Sequence, residues 1–240
     1  EAAVKIVDDC YRLIFGNRGS NRHAGKGSGG DLPEGLTDDL EYGPGGLAVL
    51  YAEENTRDAL FAAMQRREAY ATSGTRPVLR FFGGWDFVDS DLSGDYVAQG
   101  YAKGVPMGGD LTPSSDKAPS FMVYALMDPD GGSLDRIQIV KGWLKADGTT
   151  AEKIFDVAWS GERKPGSDGK VPSVGNSVNV EDGTWDNSIG SAELKALWTD
   201  PEFDPKLEAF YYVRVIEIPT PRWTLYDKIR YGAELSDEVP

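Results

Sequence analysis

Thiol and imidazole groups are almost missing from this chain: Cys10 is the single cysteine and His23 the single histidine in 240 residues. A lone cysteine excludes an internal disulfide and a cysteine-rich zinc site. Cys10 therefore reads as a small core residue of a helix. Ser-His-Asp or Cys-His catalysis would have to run entirely through His23, which sits in a glycine-rich stretch and reads as a solvent-exposed loop residue. No second histidine completes an H-E-x-x-H motif, and no G-x-S-x-G elbow occurs. Positive charge is also scarce, with 25 lysines and arginines against 39 acidic residues and a net charge of −14. Such a field repels polyanions, so nucleic acid is not an expected partner. No apolar run approaches the roughly 18 residues of a membrane-spanning helix, and no charged-then-apolar leader pattern is seen.

What is present is ordinary globular material, 40% hydrophobic and 27% charged, enough for one large domain or two modest ones. "EAAVKIVDDCYRLIFG" has helical spacing through Val4, Val7, Tyr11 and Ile14. Gly16 to Gly46 is so rich in glycine that it reads as a long loop. "GLAVLYA" then predicts a buried strand, and "EENTRDALFAAMQRREAYATSG" a helix. Asn55 or Thr56 caps that helix, Leu60, Phe61 and Met64 form its apolar stripe, Arg66 and Arg67 close it, and Gly74 stops it. From Arg76 onward the period becomes that of strands: "RPVLRFFGGW", "SFMVYALMDP", "LDRIQIVKGWL", "EKIFDVAWSG" and "AFYYVRVIEI". "SAELKALW" reads as one short helical interruption. The expected class is α+β, with two units meeting near residue 75, the second an antiparallel β-sandwich over 76–240.

Motifs that resemble sites have simpler readings. "GKGSGG" fits G-x-G-x-x-G but lacks the strand before and the helix after it, and Lys26 is followed by Gly27 where a P-loop needs Ser or Thr. "DPDGGSLD" gathers Asp128, Asp130 and Asp135 around a glycine turn, yet departs from the calcium-loop spacing and fits ordinary turn chemistry. Glu53, Glu54 and Arg57 cluster at a helix start, where the helix dipole accounts for the acids. The six tryptophans suit a sandwich core, with a sugar-stacking platform as the other reading.

Taken together, "AEENTRDALFAAMQRREAYATSGTR", "VLRFFGGWDF", "GYAKGVPMGGDL", "APSFMVYALMDP", "LDRIQIVKGWL", "FDVAWSG", "VGNSVNV", "LWTDPEFDP" and "FYYVRVIEIPTPRWTLYD" resemble the domain-of-unknown-function 3604 family, bacterial proteins similar to PHP-type metal-dependent phosphoesterases. The resemblance runs almost continuously over residues 45 to 230. It implies an α/β barrel with His and Asp metal ligands followed by a β-sandwich, so that residues 1–75 are the helical remnant of a PHP-like α/β barrel and 76–240 the sandwich. The implied H-x-H and D-x-H motifs are not found here, and His23 is not preceded by the aspartate. The chain is therefore expected to be a C-terminal, non-catalytic portion that holds no cofactor itself, while the parent protein uses a divalent metal (Zn, Mn or Mg). Expected partners are the remainder of the parent chain or a second copy, in a periplasmic or extracellular setting. The alternative is a binding or assembly module for a glycan or a protein. "YATSGTR" resembles the seam between barrel and sandwich. Thr72, Ser73 and Arg76, with Arg57, are the candidate substrate-binding residues, because arginine suits bidentate contact with a phosphate. No residue is expected to bind a metal.

Overall fold

A computed structural model describes residues 46–112 and 117–232. The opening helix expected over 1–16, the glycine-rich loop up to residue 45, Cys10 and His23 lie outside the described residues. The elements are β1 (Leu47–Leu50), α1 (Arg57–Arg66), β2 (Ala69–Thr72), β3 (Val78–Gly84), a 3-10 helix (Asp89–Leu92), α2 (Tyr96–Lys103), β4 (Gly104–Pro106), β5 (Ser120–Leu126), β6 (Leu134–Leu144), β7 (Thr150–Trp159), β8 (Glu193–Thr199), β9 (Ala209–Glu217) and α3 (Trp223–Tyr231). They form a two-stranded sheet β1-β2, a four-stranded sheet β4-β3-β5-β8 and a three-stranded sheet β7-β6-β9. These pairings are all antiparallel, so the class is α+β. No remnant of a parallel barrel is seen among the described residues.

The two larger sheets share one apolar core. Side chains alternate across a strand, so Leu79 and Phe81 of β3, Phe121, Val123 and Ala125 of β5, and Leu194 of β8 leave the four-stranded sheet on one face. They meet Leu134, Ile137 and Ile139 of β6, with Val213 and Val215 of β9 packed alongside. Each fully buried aliphatic side chain contributes about 1.5–3 kcal/mol. The opposite face of the four-stranded sheet carries Phe82 and Met122, which pack with Phe87, Leu92, Tyr96 and Val97 under α2 and the 3-10 helix. Gly100 makes that approach possible, since a Cβ there would lie 2.5 Å from the Phe82 ring.

The five strands read from sequence all form. Four other expectations need correction. The "SAELKALW" segment is not helical but supplies β8, paired with β5 from Ser120↔Thr199 to Leu126↔Glu193. Leu194, Ala196 and Trp198 face the core on period two, and the neighbouring strand decides the matter. "GLAVLYA" forms β1, but Leu47 and Ala48 are exposed; among the described residues β1 pairs only with β2. In α1 two of the three residues of the expected stripe face outward, Phe61 59% and Met64 56% exposed, while Leu60 is half-buried and Ala63 is the buried contact. The helix also stops earlier than Gly74. Arg67 adopts a left-handed conformation with φ 61° and donates its N–H to Met64, while the Glu68 N–H reaches Ala63, the paired bonds of a Schellman ending. Thr56 is the cap, its Oγ1 accepting the Ala59 N–H at 3.3 Å. The helices α2 and α3 were not anticipated.

Core burial and α1 exposure give opposite expectations for truncation. Ile139→Ala should destabilise the protein by about 2–5 kcal/mol, and Phe61→Ala by less than about 0.5 kcal/mol. Urea unfolding of both variants measures the contrast.

Candidate functional site

The "YATSGTR" turn is closed from within. The Thr72 hydroxyl donates to the Thr75 carbonyl at 2.6 Å and accepts the Gly74 N–H at 3.2 Å, so it is buried and spent on the turn. Ser73 and Arg76 are exposed on the same turn. Arg57 is exposed too, at the first position of α1, separated along the chain from this turn by the helix and β2. The turn is also fastened to the rest of the protein. The Arg76 N–H donates to Asp128 Oδ2 at 2.7 Å, and the Thr75 hydroxyl donates to Glu217 Oε2 at 2.8 Å. Asp128 also accepts the Asp130 N–H at 3.0 Å, within the turn expected for "DPDGG".

These two carboxylates respond to their surroundings in opposite ways. Backbone N–H donors from Asp130 and Arg76 hold Asp128 below the usual carboxylate range. Burial pushes Glu217 above it; the Thr75 hydroxyl opposes that shift and the charge of Asp128 adds to it. Glu217 Oε1 is buried without a hydrogen-bond partner, which fits a carboxyl that ionises reluctantly.

Two larger polar clusters lie inside the protein. Lys141 projects from β6 into the end of the core, where its Nζ donates to Asp200 Oδ2 at 2.6 Å and to the Glu202 carbonyl at 2.7 Å. The Tyr211 hydroxyl donates to the same Asp200 oxygen at 2.6 Å, while Asp200 Oδ1 accepts the Glu202 N–H at 2.9 Å. Burial followed by the Asp200 contact raises the Tyr211 hydroxyl far above its ordinary range, so it remains a donor. The second cluster holds the long segment after β7. Arg163 donates to Asp135 Oδ1 at 2.6 Å and to the Asp135, Ser160 and Pro172 carbonyls. Arg136 bonds Asp135 Oδ2 at 3.1 Å and pairs with Asp156 at 3.7 Å, too long for a hydrogen bond from its Nε. Asp156 accepts from Gln138 at 2.7 Å and from the Val171 N–H at 2.6 Å. In the sequence, Arg136 and Gln138 alternate with Ile137, Ile139 and Lys141 along the strand, so the lysine shares a face with the isoleucines. A lysine inside an apolar strand was the available signal, but its partner lies 59 positions away.

A cavity of about 290 Å³ opens where β3 ends, β5 begins and β8 ends, lined by Trp85, Asp86, Val88, Lys117, Ser120 and Thr199 among others. Lys117 and Asp86 are ion-paired at its edge. The Ser120 and Thr199 hydroxyls lie 2.7 Å apart. Trp85 is half-buried; its indole N–H donates to the Thr112 carbonyl at 3.1 Å, and its ring meets Phe203 edge-on at 6.2 Å. None of the four sequence candidates lines this cavity.

Among the described residues no three His, Cys, Asp or Glu side chains converge as ligands for a metal ion, so this region does not fit the divalent centre that the resemblance implies. Asp135, Asp156 and Asp200 are held by cations or N–H donors instead. No helix among them is long and apolar enough to cross a membrane.

A family model described as "Protein of unknown function (DUF3604)" matches residues 17–240. The chain belongs to the DUF3604 family. No curated protein and no solved structure matches it. The DUF3604 match covers the candidate turn, both buried ionic clusters and the cavity.

Two outcomes follow for this DUF3604 chain. Asp200→Asn strands the Lys141 charge and should destabilise the fold by about 3–5 kcal/mol in chemical unfolding. Glu217 has its native pKa raised above the unfolded 4.5, so its ionisation opposes folding as pH rises, and that penalty is complete above the native pKa. Glu217→Gln should therefore raise the melting temperature near pH 8, with the difference from the parent closing near pH 4, where both states of Glu217 keep the proton. A gain in melting temperature independent of pH would contradict this.

Proposed function

We propose that this chain is the C-terminal, non-catalytic portion of a DUF3604 protein resembling metal-dependent phosphoester hydrolases. In this reading the described region is a β-sandwich that supports or covers a barrel active site supplied by the rest of the protein. Residues 1–75 then belong to the end of the α/β unit, and the metal, Zn, Mn or Mg, is held elsewhere in the parent. The setting is periplasmic or extracellular, as the resemblance implies.

The observation that carries this reading is how the interior spends its charge. Lys141, Asp200 and Tyr211 close on one another, as do Asp135, Arg136, Asp156 and Arg163, and both sets fix loops to strands. Closed networks of this kind rigidify a scaffold. A catalytic carboxylate or lysine needs a face left open to substrate. The turn bearing Thr72, Ser73 and Arg76 has the character of a fastening point, through Thr75 to Glu217 and Arg76 to Asp128. Ser73 and Arg76 are exposed, where the guanidinium that now faces Asp128 can meet a phosphate presented by the barrel. The second reading, a binding module, is favoured by the oriented indole beside the open cavity.

Activity and metal content of the isolated 240-residue chain test the proposal. With p-nitrophenyl phosphate and bis(p-nitrophenyl) phosphate, turnover should stay at background in the presence of Zn, Mn or Mg. Plasma mass spectrometry after desalting should find no stoichiometric transition metal. Metal-dependent turnover by this chain alone would overturn the assignment.

A further inference from the structure

We infer that the cavity beside Trp85 is a subsite for one neutral saccharide ring, stacked on the indole and held at its edge by Asp86 and Lys117. The inference does not rest on the hydrolase reading; it concerns a surface of the four-stranded sheet that needs no metal and no barrel.

Three features converge. The first is an oriented aromatic platform. The Trp85 N–H is committed to the Thr112 carbonyl and its ring packs against Phe203 at a steep angle, so the half-buried indole is held in place before any ligand arrives. A ring with an apolar C–H face can cover it with little loss of side-chain freedom. The second is the type of polar groups around that platform. Asp86 only accepts, Lys117 only donates, and the Ser120/Thr199 pair can do both, because a single hydrogen lies between their oxygens and the other hydroxyl hydrogen is free to point elsewhere. Sugar hydroxyls each donate and accept, and such a mixed set matches them. The third is charge. Asp86 and Lys117 cancel locally, and the chain carries −14 overall, so a phosphate or carboxylate gains nothing from this site. The volume, about 290 Å³, is at the lower end of the roughly 300–1,000 Å³ common for small-molecule sites, which suits one ring rather than a chain of them.

The test uses the intact chain and the Trp85 indole N–H resonance, assigned by its loss in Trp85→Phe. Methyl β-glucoside, methyl β-galactoside, N-acetylglucosamine, cellobiose and inorganic phosphate are titrated separately to about 50 mM, a range that reaches millimolar affinities. At least one monosaccharide should shift the resonance saturably. Asp86→Ala and Lys117→Ala, both changes at exposed side chains, should weaken that binding about tenfold or more. Phosphate should leave the resonance unmoved. The inference is overturned if no saccharide shifts it, if the shift persists unchanged in both variants, or if phosphate moves it equally. Cellobiose binding far more tightly than methyl β-glucoside would overturn the single-ring assignment. None of these readouts involves hydrolysis, so failure here is separate from failure of the proposed function.

Discussion

Val123 and Ala125 of β5 lie fully buried, as do Ile137 and Ile139 of β6, and all four belong to one core shared by two antiparallel sheets. That packing is the constraint on which the rest depends. It sets the four-stranded sheet with one face inward and one face available to α2, and it places the ends of β3, β5 and β8 beside one another. The cavity next to Trp85 exists only because those three ends coincide.

Charge has a subordinate but specific part. Removing paired ions from water is unfavourable, and buried pairs often add little net stability over an apolar substitute. What they supply here is position. Lys141 ties β6 to the turn after β8, and Asp135 and Asp156 tie β6 and β7 to the segment around Arg163 and Val171. That leaves the solvated acidic residues to give the molecule its negative field, which is a property of its surface and of its choice of partners. Glu217 differs from the buried acids: it is half-buried, and its Oε1 lies out of solvent with no hydrogen-bond partner.

Much of the fold was legible in the chain. Strands β3, β5, β6, β7 and β9 announce themselves by β-branched and aromatic residues between turn formers, and the Thr56 cap by its chemistry. β8 did not, because Leu194, Leu197 and Trp198 fit helical spacing as well as Leu194, Ala196 and Trp198 fit a strand. Only pairing with β5 breaks that tie. α1 misled for a related reason: an apolar stripe shows that a helix has a face to bury, not that the neighbouring strands cover it, and Phe61 and Met64 stay exposed. For the candidate site, the turn at Thr72 to Arg76 was found by its residues, while its fastening to Glu217 and Asp128 was not, since those partners lie as far as 142 positions away.

By itself, the amino-acid sequence determined the family, the antiparallel strand content, the negative field and the poverty of nitrogen and sulfur ligands, because each follows from local pattern or from composition. Tertiary structure alone decided which charges are buried, which apolar stripe stays in solvent and which polar groups surround Trp85. Those outcomes depend on contacts between residues far apart in the chain. Alternation within one strand can say that a lysine will point inward, but only the neighbouring strand and turn can bring Asp200 to meet it.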